Sequence, residues 1–178
     1  MKKGVHIIEC LDTDDPGSEG RCLKHLFDLL QIKAKYQHIT TIDELLDAMS
    51  ASEYEYIHIS AHGAMSEEDR FAGWWTHKGH GRKSKMASLK SQLKCIAVIS
   101  TACKSGSDKF GKYVVNELGS KYFIGPKENT SFPSAIFFSH ILYHKLFITK
   151  HSLPKAFASY NAGYKNPFKF SLFQRNAT

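Results

Sequence analysis

Short apolar runs alternate with amphipathic stretches along this chain, the pattern of an α/β domain built on a mainly parallel sheet. The first run, Val5-His6-Ile7-Ile8-Glu9-Cys10, is short and rich in β-branched residues and reads as a buried strand. An acidic, turn-rich stretch from Asp12 to Gly20 follows. Ser18 is placed there to cap a helix over Arg21 to Leu30, whose apolar positions Cys22, Leu23, Leu26, Phe27, Leu29 and Leu30 make one wide face. Lys35 to Ile39 is a second, weaker strand. Thr40 or Thr41 caps the next helix, which runs to about Ser50; counted from Thr41, Glu44 completes a capping box.

Tyr56-Ile57-His58-Ile59-Ser60-Ala61-His62 is a third strand, ended by Gly63. From Ala64 to Ser88 there is little helical period, and the stretch holds Trp74, Trp75 and several glycines. It predicts a hairpin or a mobile flap. Cys95 to Ala102 is the most strand-like run of all, and Cys103 stands where it stops. Asp108 to Leu118 is a helix closed by Gly119. Tyr122 to Gly125 is a fifth strand, Ser134 to Phe147 and Leu153 to Asn161 are helices, and Phe168 to Phe173 is an edge strand leading into a short tail.

Composition narrows the class. The 178 residues suit a single domain spanning 1–178, and 42% apolar with 23% charged residues is a globular balance. No apolar run approaches the roughly 18 residues needed to cross a bilayer, and Met1-Lys2-Lys3-Gly4 leads straight into a strand rather than a signal sequence. A cytoplasmic protein with free thiols is expected, since its four cysteines (Cys10, Cys22, Cys95, Cys103) are scattered without a CxxC pair. His77 and His80 lack a second ligand pair, so no metal or other cofactor is expected. The net charge of +7 owes much to the run from His77 to Lys85, which reads as a solvated loop rather than a nucleic-acid surface. No phosphate-binding glycine motif is present; Phe110-Gly111-Lys112 is followed by Tyr113.

The candidate chemistry lies at two strand ends. Ligands of an open parallel sheet bind outside the carboxyl ends of its strands. His62 ends the third strand and Cys103 the fourth. If those strands are neighbours, about 5 Å apart, the two side chains face one small space. An imidazole beside the thiol raises its thiolate fraction and can protonate a leaving amine. The N–H groups of Gly63 and Cys103 are placed to form an oxyanion hole. Alone, a strand-end cysteine reads as a small buried residue and a His-Gly as a turn; the pairing carries the assignment.

These two motifs, Ile57-His58-Ile59-Ser60-Ala61-His62-Gly63 and Val98-Ile99-Ser100-Thr101-Ala102-Cys103-Lys104-Ser105-Gly106, resemble those of the caspase-like (clan CD) cysteine peptidases. The second is most similar to the CHAT branch, in which an Ala-Cys is followed by a Ser-Gly or Thr-Gly. Gly125, Ala135, Phe138, Tyr143, Leu146, Leu153, Ala156 and Phe157 echo the downstream order of that branch. The resemblance implies a three-layer αβα caspase-like fold, Cys103 as nucleophile, His62 as general acid and base, and an extended peptide or protein substrate.

Thr101 occupies the position where caspases carry Gln and metacaspases usually carry Asp, so neither pocket transfers. The loop after the first strand holds Asp12, Asp14 and Asp15. Those carboxylates either favour a basic P1 residue or only cap the following helix. A regulatory protein partner is expected to gate activity, with residues 64–88 as the gate. Trp74-Trp75 is then either its contact or a plug on the core. The alternatives are a catalytically silent caspase-like interaction module and a small nucleic-acid- or nucleotide-binding α/β domain.

Overall fold

A computed structural model of the chain describes residues 1–12, 15, 18–67, 70–163 and 169–175. In chain order the elements are β1 (Lys2–Glu9), α1 (Glu19–Leu29), β2 (Ala34–His38), α2 (Ile42–Ser50), β3 (Tyr54–Ser60), β4 (Gly63–Met65), β5 (Phe71–Thr76), β6 (Gly79–Arg82), α3 (Lys83–Met86), β7 (Ala97–Ser100), α4 (Asp108–Tyr113), β8 (Tyr122–Pro126), α5 (Phe132–Tyr143), α6 (Leu153–Gly163) and β9 (Phe170–Gln174). Both α4 and α5 widen into i→i+5 turns, Val114–Leu118 and His144–Ile148; the first ends at Gly119 in the left-handed region (φ 98°).

Six strands form the central sheet in the order β2-β1-β3-β7-β8-β9. All pairs are parallel except β8 with β9. The two strands that carry the motifs, β3 and β7, are direct neighbours, with Tyr56 opposite Ala97 and Ile59 opposite Ser100. β7 is shorter than the sequence predicts, and β3 keeps its predicted length but lies two residues earlier. β3 ends at Ser60 and β7 at Ser100, so His62 and Cys103 stand in the connections just past the strand tips rather than on them. The first and second strands begin earlier than expected, and the last begins at Phe170; Phe168 lies outside the described residues.

Successive strand side chains point to opposite faces, and this parity builds two cores. Ile8, Ile57, Ile59, Val98 and Phe123 face α2 and α4, together with Trp74 and Met86. Val5, Ile7, Tyr56, Ala97, Ile99, Tyr122 and Ile124 face α1, α5 and α6. The result is three layers, helices on both faces of the sheet, as an α/β chain with right-handed crossovers requires. Ser18 caps α1 by accepting from the Arg21 N–H, and Thr41 with Glu44 forms the capping box that starts α2.

Residues 63–82 form a second, three-stranded antiparallel sheet, β4-β5-β6. Its two tryptophans differ. Trp74 is fully buried, packs edge-on against Phe110 and donates its indole N–H to Ser100 Oγ at 2.9 Å. Trp75 is 45% exposed and stacks on His80. Trp74 is therefore the plug that fastens the small sheet to the end of β7. Trp74→Ala removes a buried indole and one of the two N–H groups that Ser100 Oγ accepts from, and is expected to cost about 3–5 kcal/mol. Trp75→Ala should stay within about 1 kcal/mol. Urea unfolding of the two variants checks the contrast.

Candidate active site

The parity that builds the second core also gathers polar side chains beneath the strand tips. Glu9 on β1, His58 and Ser60 on β3, and Thr101 just after β7 all continue the series that faces α1 and α5. Glu19, in the first turn of α1, descends among them and is 2% exposed. Its Oε1 accepts from His58 Nε2 at 3.2 Å and Ser139 Oγ at 3.3 Å. Its Oε2 accepts from Thr101 Oγ1 at 2.6 Å and Ser60 Oγ at 3.1 Å. A carboxylate only accepts, so His58 carries its proton on Nε2, and Nδ1 accepts from Tyr143 O–H at 2.9 Å. Burial pushes the Tyr143 hydroxyl well above its ordinary pKa and the Glu19 charge adds to the shift, so Tyr143 stays a donor.

Glu9 is the second buried carboxylate. It accepts from the Gly20 N–H at 2.7 Å, from Tyr36 O–H at 2.6 Å and from Ser18. Burying ions without such partners costs several kcal/mol each, so the donors are what allow two carboxylates here.

Above this floor lies a cavity of about 60 Å³ lined by Glu19, Ser60, His62, Thr101, Cys103, Thr130 and Phe132, among others. Both predicted dyad members therefore open into one space. The backbones beneath them touch: a Cβ on Gly63 would fall 2.3 Å from the Cys103 carbonyl oxygen, so only glycine permits this approach. Trp75 donates its N–H to the His62 carbonyl at 2.9 Å. That makes Gly63 and Trp74 a non-hydrogen-bonded pair, and the Gly63 N–H points away from the ladder. Past the cysteine, Lys104 adopts a left-handed φ of 58°, and the Ser105-Gly106 turn lies so close to β8 that a Cβ on Gly106 would sit 2.0 Å from the Gly125 carbonyl oxygen.

No hydrogen bond joins the imidazole to the thiol. His62 Nε2 instead bonds Asp15 Oδ1 at 2.7 Å, and Phe132 stands edge-on to its ring. Cys103 Sγ accepts from the Thr130 N–H at 3.3 Å and faces the Thr130 carbonyl at 3.6 Å.

Asp12 and Asp15, two of the three aspartates of the loop after β1, line a neighbouring cavity of about 410 Å³, and each pairs with a histidine. Asp15 holds His62, and Asp12 pairs with His77 at 2.7 Å, tying the loop after β1 to the turn between β5 and β6. Asp14 lies outside the described residues. The carboxylate that shares the cavity with Thr101 is Glu19. Sequence reading passed over it because an acidic residue in the first turn of a helix is ordinary there. Its available signal was polar Glu9, His58, Ser60 and Thr101 at strand positions whose parity demands burial.

Among the described residues no group of three or more His, Cys, Asp or Glu is arranged to hold a metal. No helix among them is long and apolar enough to cross a membrane.

No family model and no curated protein matches the chain. Solved structures do. The fold is caspase-like. The chain superposes on separase from the Saccharomyces cerevisiae separase–securin complex with a TM-score of 0.65 and 13% identity, covering 97% of itself but 12% of that chain. It superposes on a secreted C11 cysteine protease from Bacteroides thetaiotaomicron, solved with an irreversible peptide inhibitor, with a TM-score of 0.58 and 12% identity, covering 97% of itself and 66% of the protease. Both neighbours share the layered sheet described above and exceed this chain in length.

Two measurements bear on this geometry. Glu19→Ala strands the donors of His58, Ser60, Thr101 and Ser139 in the interior and is expected to cost about 3–5 kcal/mol in chemical denaturation. Iodoacetamide at neutral pH should alkylate exposed Cys22 and half-buried Cys103 in the native protein. Cys10 and Cys95 should react only after unfolding, because both are buried and burial raises their thiol pKa, for Cys95 to about 11. Peptide mass mapping reads the order.

Proposed function

We propose that the chain is a cysteine endopeptidase of the CHAT type, with Cys103 as nucleophile and His62 as general base and acid. One observation carries the reading: His62 and Cys103 follow the carboxyl ends of two adjacent parallel strands and line the same cavity. The caspase-like fold supports it, since one of the two neighbours is by its own description a cysteine protease solved with an irreversible peptide inhibitor.

The steps follow from the residues. His62 takes the thiol proton, and the thiolate adds to the scissile carbonyl carbon. The oxyanion is met by the N–H groups of Gly63 and Cys103. Collapse of the tetrahedral adduct breaks the C–N bond, and the imidazolium gives its proton to the departing amine. Water, deprotonated by His62, then adds to the thioester and releases the acid.

For specificity, a basic P1 side chain is placed beside Glu19 and Thr101, which share the cavity with Cys103. Glu19 is the acidic group at the cavity floor. A cavity of about 60 Å³ does not admit a lysine or arginine as it stands, so the proposal includes a gate, opened by a protein partner. The contact of the thiol with the Thr130 backbone supports the 127–132 connection as the segment that moves.

A peptide electrophile with Lys or Arg at P1 is expected to label Cys103 in the wild type and to fail on Cys103→Ala. Fluorogenic peptide cleavage should vanish in Cys103→Ala and fall by about 10²–10⁴-fold in His62→Ala. Labelling without any Lys/Arg preference removes the Glu19 assignment. Constant turnover by the isolated chain removes the gate. Absence of labelling and turnover, with candidate activators present, favours the silent interaction module, which the missing His62–Cys103 hydrogen bond already suits.

A further inference from the structure

The loop after β1 brings Asp15 to His62. The carboxylate is fixed from two sides. Oδ2 accepts the Asp12 N–H at 2.8 Å, the Asp15 N–H donates to the Asp12 carbonyl at 3.2 Å, and Oδ1 is thereby aimed at His62 Nε2 at 2.7 Å. The Asp15 side chain is 15% exposed against 47% for His62, so water screens the carboxylate less than the ring.

We propose that Asp15 is a positioning residue that makes His62 a competent base, which turns the dyad into a Cys103–His62–Asp15 triad. The inference rests on the peptidase reading for its catalytic consequence, and on geometry alone for the pairing. Because the carboxylate accepts from Nε2, the neutral ring carries its proton there, and Nδ1 is the basic nitrogen left to serve the thiol. When that nitrogen takes the Cys103 proton, the ring becomes an imidazolium with Asp15 already in place. An opposite charge at hydrogen-bond distance favours the charged form. Phe132 fixes the ring from its edge, at 5.9 Å between centroids, so the rotation about the ring axis is set by Asp15 and its plane by Phe132. The other ionisable groups at this cavity are Glu19, whose oxygens are engaged by His58, Ser60, Thr101 and Ser139, and Cys103 itself. The Asp12–His77 pair belongs to the same loop.

Asp15→Asn tests this, since it keeps the size of the side chain and an acceptor for the Asp12 N–H while removing the charge and the tautomer preference. The amide can donate to Nε2, which drives the ring proton to the wrong nitrogen. The expected result is a kcat lower by about 10–100-fold with KM within about twofold. Asp15→Glu is expected to recover part of kcat. Nitrogen NMR of ring-labelled histidine reads the same pairing without turnover. Wild type should show His62 protonated on Nε2, and Asp15→Asn should move that proton to Nδ1. Unchanged kcat in an active Asp15→Asn enzyme overturns the proposal, as does an unchanged NMR tautomer. If no variant and no wild-type preparation cleaves peptide or takes the electrophile, the peptidase reading falls, and the NMR comparison still decides the pairing.

Discussion

The parallel pairing of β3 with β7 is the constraint on which the site depends. It does two things at once. It brings the two connections that follow these strands to the same edge of the sheet, which is how His62 and Cys103 reach one cavity. It also fixes side-chain parity, because a register slip of one residue would turn every inward side chain outward. With the observed register, Ile57, Ile59 and Val98 seal one core, while Tyr56, Ala97 and Ile99 seal the other. His58, Ser60 and Thr101 follow the second series to its polar end. The apolar cores and the polar floor of the cavity are thus one pattern read along the same strands.

That floor is a demanding structure. Glu9 and Glu19 are each 2% exposed, and Ser60 Oγ lies within reach of both. Two carboxylates in such a position persist only when surrounded by donors, and here the donors come from α1, β2, β3, α5 and the end of β7. Each contributing element is thereby held in one arrangement, since moving any of them would leave a buried acceptor or donor without its partner. A half-satisfied network of this kind would be worse than an apolar one. The polar floor consequently couples the sheet to both of its nearer helices at the point where the candidate nucleophile emerges.

The layered fold was legible in the sequence because it rests on periodicity and capping. Thr41 and Glu44, Ser18, Gly119 and the β-branched runs are local signals, and each sits where local physics puts it. Boundaries were less legible. Ala61 and Thr101 extend apolar, β-favouring runs but leave the ladder, because the chain must turn at the tips to bring Gly63 against the Cys103 carbonyl. The partners of His62 and Cys103 were legible only as residue types. An aspartate in a turn-rich loop and a threonine before a helix have many possible neighbours, and the ones that matter here lie 47 positions from His62 and 27 from Cys103. Glu19 was missed because a helix-start carboxylate has a sufficient local explanation, and only the third dimension shows it turned inward.

The resting arrangement of the site separates the two groups that the proposed chemistry needs together. Cys103 is engaged by the Thr130 backbone and His62 by Asp15, and no hydrogen bond runs between them. These two engagements are not equivalent. The Asp15 contact uses Nε2 and leaves Nδ1 to accept a proton, so it can persist through a catalytic cycle. The Thr130 contact uses the sulfur itself, and a substrate carbonyl must occupy the space in front of that sulfur. Thr130 also opens the connection that runs into Phe132, the residue lying edge-on to His62. Displacing that one segment frees the thiol, relaxes the ring and enlarges a cavity of about 60 Å³ in a single movement. The buried network beneath is anchored on α5 by Ser139 and Tyr143, about two and three turns further along, so the segment can move while the floor stays fixed. A gate placed there needs no rearrangement of the sheet, which is why the geometry favours the loop before α5 over the small sheet fastened by Trp74 as the part of the site that yields.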